Sequence, residues 1–142
     1  MRLIITRHGE TEENKAGIMQ GHLPGKLSTD GIRQAQKVAE RLKSEKINFI
    51  FSSDLARAVD TAVEISLNHP EAKLELTQEL RERHLGEFTG KHRDEINLRK
   101  NDADSVYDVI TNGEKVEALY ERAATYLAKI LAAHPDDTVL FV

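Results

Sequence analysis

Short apolar runs alternate with helix-periodic stretches along the whole chain, and that alternation limits the fold more than any other feature. Residues 2–6 read as a buried strand, and 9–27, with Gly17, Gly21, Pro24 and Gly25, as a long loop. Ser28 or Thr29 is the cap candidate for a helix that places Ile32, Ala35, Ala39 and Leu42 on one stripe. Ile47-Asn48-Phe49-Ile50-Phe51 predicts a second buried strand, ending in Ser52-Ser53-Asp54, another cap signal. The next helix turns Leu55, Val59, Ala62 and Ile65 inward and breaks at Asn68-His69-Pro70. Leu74-Glu75-Leu76 alternates as a short strand, and 80–90, punctuated by Gly86 and Gly90, is a loop. A short polar helix is expected around 91–100 and loose chain over 101–113. Val116, Leu119, Tyr120, Ala123, Leu127, Ile130 and Leu131 form a wide core-facing stripe on the longest helix, stopped by His134-Pro135-Asp136-Asp137. Residues 138–142 read as a last buried strand. This order predicts a layered α/β domain with a largely parallel sheet, in which 47–51 and 138–142 are parallel neighbours of 2–6.

A chain of 142 residues suffices for a single domain, 1–142, without stabilising cross-links. It has no cysteine, which removes disulfides, thiol chemistry and thiolate metal sites. A net charge of −4 gives no general attraction to nucleic acid or to an anionic membrane. Any anion site must therefore come from a local cluster of cations. No apolar run approaches the about 20 residues of a membrane span. The N-terminus is charged too early for a signal peptide, so the cytoplasm is the expected compartment. None of the six histidines falls in a metal-ligand spacing such as H-x-x-x-H, and no metal or other cofactor is expected.

The first strand delivers Arg7-His8-Gly9 to the carboxyl edge of the sheet, where open α/β sheets bind ligands. Glycine lets backbone approach an anion, arginine offers forked donors to phosphate oxygens, and histidine can attack phosphorus. A surface Arg-His pair is the ordinary alternative. Arg57, one turn into the helix after the second strand, is ordinarily a solvated residue on the helix flank. The helix dipole would not favour a cation there, which makes an anionic ligand a useful explanation beside the solvated one. Glu82 in Leu80-Arg81-Glu82-Arg83-His84-Leu85-Gly86 reads either as an ion pair or as a carboxyl in a site. Ser52 and Ser53 could donate to phosphate or cap the helix.

Together these residues resemble the histidine phosphatase superfamily, with its phosphoglycerate-mutase-like fold. The matching segments are Arg7-His8-Gly9-Glu10-Thr11 with Asn14 and Gln20-Gly21, then Ser52-Ser53-Asp54-Leu55-Ala56-Arg57-Ala58 with Thr61-Ala62. Leu80-Arg81-Glu82-Arg83-His84-Leu85-Gly86 with Gly90, and Gly113-Glu114 with Arg122, complete the set. The resemblance implies a layered αβα fold, a mostly parallel sheet with helices on both faces. It implies His8 as phosphoryl acceptor, Arg7 and Arg57 as phosphate ligands, and Glu82 as general acid and base. Asn14, Gln20 and Gly21 would border the substrate, a small phosphomonoester. For those roles His8 must be neutral with one ring nitrogen held on an acceptor, for which a carbonyl in the Gly9 turn is the candidate. Glu82 must be protonated, so Arg81 and Arg83 are expected to point away from it.

The expected function is phosphomonoester hydrolysis through phosphohistidine. A phosphoglycerate mutase is the alternative, since it shares the first half-reaction. The 22 residues between Gly90 and Gly113 favour hydrolysis, because mutases of the family carry a longer insertion there. A non-catalytic phospholigand-binding domain is the third reading. Members of the superfamily also carry a second histidine in a Ser-His-Gly or Thr-His-Gly motif after a late apolar strand. Here Thr138 to Val142 resembles that strand and the sequence stops. The C-terminal part of the fold is therefore expected to be missing, with the first strand's edge unpaired, and the chain to be a piece of a longer polypeptide. Losing one preorganised phosphoryl donor costs on the order of 10²–10³ in rate. The 142-residue chain alone should thus release phosphate weakly at best, and robust turnover by a mass-verified sample would contradict this.

Overall fold

Four parallel strands make one sheet in the computed structural model, which describes residues 1–95, 110 and 112–142. They are β1 (Arg2–Ile5), β2 (Phe49–Ser53), β3 (Lys73–Thr77) and β4 (Thr138–Phe141), in the order β1-β4-β2-β3. Helices that lie wholly within the described residues are α1 (Glu12–Lys15), α2 (Thr29–Leu42), α3 (Ala56–Ser66) and α4 (Val116–Ala133). The side chains of β4 alternate between two cores. Leu140 packs with Ile50, Ala39, Ala62 and Ile65 under α2 and α3, whereas Val139 and Phe141 pack with Phe51 and Ile130 under α4. Helices thus cover both faces, as expected for the αβα layering. Burying each of these large apolar side chains contributes ~1.5–3 kcal/mol. No described helix is long and apolar enough to cross a membrane.

The strand order departs from expectation. β4 lies between β1 and β2, so the second strand does not neighbour the first. The reason is chemical: a strand bonded along both edges and covered on both faces should be the most apolar, and Val139 and Leu140 are both 0% exposed. β2 also starts two residues later than its apolar run. Asn48 uses its side-chain oxygen to accept from the Thr138 N–H, and Ser52 and Ser53 join the ladder opposite Leu76 and Thr77. Those serines therefore end a strand. The cap position of α3 is Leu55, whose side chain caps nothing.

Four further differences stand out. The 9–27 segment contains α1, started by a reciprocal Thr11–Asn14 capping box. Ser28 caps α2 by accepting from the Gly31 N–H at 3.0 Å, and Gly31 takes the inward place while Ile32 is exposed. On α4 only Ile130 is buried. Tyr120, Val116 and Leu131 are exposed, because the helix meets the sheet through its C-terminal half. The 80–90 segment is bordered and interrupted by single 3₁₀ turns, Gln78–Leu80 and Gly86–Phe88. The first half of the helix expected at 91–100 is described, with 93–95 helical; its second half, and most of the loose chain at 101–113, lie outside the described residues.

Gly31 lies against the backbone of the loop that follows His8. A methyl group built on Gly31 would sit 1.9 Å from the Glu10 carbonyl oxygen, and one on Gly9 would sit 2.3 Å from the Gly31 oxygen. Alanine at a helix position ordinarily gains about 1 kcal/mol over glycine. Here backbone must move, and overpacking of that kind costs about 1–3 kcal/mol. Gly31→Ala should therefore lower stability in urea unfolding despite its better helix propensity; a stabilised variant would contradict the contact.

Candidate active site

Beyond β1 the ladder continues by one bond, from the Thr6 N–H to the Phe141 carbonyl at 2.9 Å. The chain then leaves the carboxyl edge of the sheet, and Arg7 and His8 follow. Nδ1 of His8 is 2.7 Å from its neighbour's carbonyl, Gly9 O. A carbonyl can only accept, so Nδ1 carries the proton and Nε2 keeps its lone pair. Arg57 donates from Nε to that Nε2 at 3.2 Å. The Gly9 N–H donates to Thr61 Oγ1 at 3.1 Å, and the Thr61 hydroxyl donates to the Arg57 carbonyl at 2.8 Å. One turn of α3 therefore holds the Gly9 backbone and presents the guanidinium that meets the ring.

Arg57 is buried, with 2% of its surface exposed, rather than on a solvated flank. Its Nη1 donates to Leu23 O at 2.5 Å, and its Nη2 donates to Gly21 O at 2.9 Å and to Glu82 Oε2 at 3.2 Å. The two carbonyls, the charge of Glu13 and the one carboxylate it touches, Glu82, which is 48% exposed, compensate its charge. A buried cation held this way leaves a positive potential at the pocket. Arg7 adds to it from the exposed side, where both its charge and that of Arg57 act on His8.

Glu82 faces Arg57; its neighbours Arg81 and Arg83 bind other partners, although Arg83 also lines the cavity that Glu82 lines. Arg81 forms a two-pronged pair with Asp54 at 2.6 and 2.5 Å, and Arg83 donates from Nε to Glu114 O at 2.5 Å. The Arg81 hydrogen bonds hold the Asp54 carboxyl below the usual carboxylate range. Arg122 pairs with both Glu114 oxygens at 2.9 Å, which likewise lowers the Glu114 pKa. The same guanidinium reaches the carbonyls of Glu79 at 2.6 Å and Arg81 at 3.1 Å, tying α4 to the segment that carries Glu82.

Arg7, His8, Arg57 and Glu82 line one cavity of about 540 Å³, together with Ser53 and Val142 from the strand ends. Asn14 lines an adjoining cavity of about 460 Å³ with Arg7, His8, Glu10, Gln34 and Arg93. Its Oδ1 accepts from the Thr11 N–H. Gln20 and Gly21 line neither cavity. Gln20 is buried, its Oε1 without a hydrogen-bond partner among the described residues, and Gly21 presents its carbonyl to Arg57. Ser52 donates to the Ser53 carbonyl, so its proton is used locally, whereas Ser53 Oγ accepts from the Leu55 N–H and lines the cavity. Among the described residues no three histidine or acidic side chains gather as a metal site. The positioning roles of Thr61, Gly31 and Arg122 were not assigned from the sequence. A threonine four residues after Arg57 on an inward stripe was a usable signal, since a buried hydroxyl needs a partner.

Residues 3–142 match the family described as "Histidine phosphatase superfamily (branch 1)". Over 148 aligned residues the chain is 36% identical to "Phosphoglycerate mutase-like protein 4" of Arabidopsis thaliana, covering 99% of this chain and 64% of that protein. It is 32% identical over 148 residues to "Metal-independent phosphoserine phosphatase" of the same plant, covering 99% and 62%. A solved mycobacterial glucosyl-3-phosphoglycerate phosphatase superposes with a TM-score of 0.87 at 31% identity, covering 99% of this chain and 72% of that one. The chain thus spans under two-thirds of the length of these two plant relatives.

The surroundings of His8 lower its pKa from the usual 6.5. Burial is the largest cause; the Gly9 hydrogen bond opposes it, and the charges of Arg57 and Arg7 add to it. A lowered pKa keeps the ring neutral to more acidic pH. Ring-proton NMR should place the His8 midpoint below the usual value, and Arg7→Gln should raise it. A midpoint at or above that value in the unmutated protein would contradict the environment described.

Proposed function

Since the chain belongs to the histidine phosphatase superfamily, we propose that it hydrolyses small phosphomonoesters through a phosphohistidine on His8. The observation that carries this reading is the fixed ring of His8: Nδ1 on the Gly9 carbonyl at 2.7 Å, and an unprotonated Nε2 facing the Arg57 side of the pocket. Arg57 and Arg7 bind the phosphoryl oxygens, whose charge shifts during transfer. The Nε2 lone pair forms the N–P bond as the ester P–O bond breaks. Glu82, protonated, gives its proton to the leaving oxygen, which departs as the alcohol. The resulting carboxylate then takes a proton from water as that water attacks phosphorus. The P–N bond breaks, inorganic phosphate leaves and Nε2 is restored. Nδ1–H stays on Gly9 throughout, which holds the ring in line. Asn14 offers its amide N–H groups from the adjoining cavity, whereas Gly21 acts through Arg57. Relatives that are phosphatases support the hydrolase class.

A mutase shares the first step, and likeness to a protein named phosphoglycerate mutase-like keeps that reading in view. Incubation with 3-phosphoglycerate and a trace of the bisphosphate separates the two, because a mutase interconverts isomers without releasing phosphate. The main test is capture of the intermediate in the full-length protein. Rapid alkaline quench during turnover should yield a phosphoryl group on His8 by peptide mass. His8→Ala should abolish it and lower kcat at least about 10³-fold. Labelling elsewhere, or turnover that survives His8→Ala, would end the reading.

A further inference from the structure

The tripeptide Gly21-His22-Leu23 touches both halves of the candidate machinery. Its outer carbonyls, Gly21 O and Leu23 O, accept from Nη2 and Nη1 of Arg57, and the next carbonyl, Pro24 O, accepts from the Arg57 N–H at 3.0 Å. Between them, Nε2 of His22 lies 2.8 Å from the backbone carbonyl of Glu82. A carbonyl only accepts, so His22 donates through Nε2–H, a bond that both its neutral and its charged ring can make. The His22 ring also meets the His84 ring edge-on, with centroids 5.1 Å apart, two residues beyond Glu82. Arg81 and Arg122 fix the Glu82 segment from the far side, through Asp54 and through the Glu79 and Arg81 carbonyls. On the near side the bond from His22 reaches the Glu82 backbone itself.

We propose that His22 is a positioning residue that sets the distance between the phosphate-holding guanidinium of Arg57 and the proton-donating carboxyl of Glu82. One covalently continuous tripeptide carries both anchors, so the span between clamp and acid has little freedom to change. The inference rests on the reading of Glu82 as general acid. A donor displaced by about 1 Å loses on the order of 10²-fold in rate. Only leaving groups that need the proton feel that loss.

The test is kcat/KM of the full-length protein with two esters, an alkyl phosphate and 2,4-dinitrophenyl phosphate, whose phenolate leaves unaided. The ratio follows phosphoryl transfer, not the later hydrolysis of phosphohistidine. His22→Phe, which keeps a ring but no donor, should lower the alkyl value about 10- to 100-fold and leave the dinitrophenyl value within about twofold. His22→Gln, whose amide can replace Nε2–H, should recover most of the alkyl activity. The dinitrophenyl rate also reports how much of each variant is folded. Equal losses on both esters, no loss on either, or no rescue by glutamine would overturn the proposal. Glu82→Gln is the reference. If it reproduces the selective loss and His22→Phe does not, His22 alone is dismissed. If it too shows no selectivity, the acid assignment falls and takes this inference with it.

Discussion

The buried guanidinium of Arg57 is the point on which the site's geometry depends. Its donors reach three segments: the His8 ring after β1, the carbonyls of Gly21 and Leu23, and Glu82 after β3; the Arg57 backbone carbonyl in turn accepts from Thr61, which accepts from the Gly9 N–H. Removing one partner from such a buried ionic group typically costs about 3–5 kcal/mol, because the remaining charge stays desolvated. The compensation is also incomplete in sign. Neutral carbonyls and a half-exposed carboxylate leave positive charge at the cavity mouth, which suits a phosphate dianion better than a neutral molecule.

Placing that guanidinium against His8 takes close approaches of backbone. Gly9 and Gly31 allow the loop after β1 to lie directly on the first turn of α2, with no room for a side chain on either. Ser28 consolidates the contact, because it caps Gly31 and donates to the Glu10 carboxylate at 2.8 Å. α2 packs in turn against α3, which carries Arg57 and Thr61, through Ala39, Ala62 and Ile65. The small residues in that core bring the two helices together, and so bring the histidine turn to the arginine.

Glu82 is held by a different device. The arginines on either side of Glu82 are drawn off by Asp54 and by the Glu114 backbone, and Arg122 stitches the segment to α4. Arg57 is the cation in contact with Glu82, and an incoming phosphate would compete with Glu82 for the same guanidinium.

Local chemistry was enough to read the alternation of strands and helices, the Ser28 cap, the delivery of His8 to a strand end, and the need for a Gly9 carbonyl on its ring. These depend on neighbours in sequence, through periodicity, capping and the turn. Sequence also singled out Arg57 and Glu82, though not their burial or their contact with each other. Tertiary structure decided the rest. It put β4 between β1 and β2, where Val139, Leu140 and Phe141 are buried between the helix layers on both faces. It turned Gly31 inward in place of Ile32, moved Ser52 and Ser53 from cap to strand, and left Tyr120 and Val116 exposed on α4. It also made Gly21 an acceptor for Arg57 and His22 an anchor for Glu82. These are contacts between residues 34 to 60 positions apart, and which partners meet is set by packing free energy summed over the whole core.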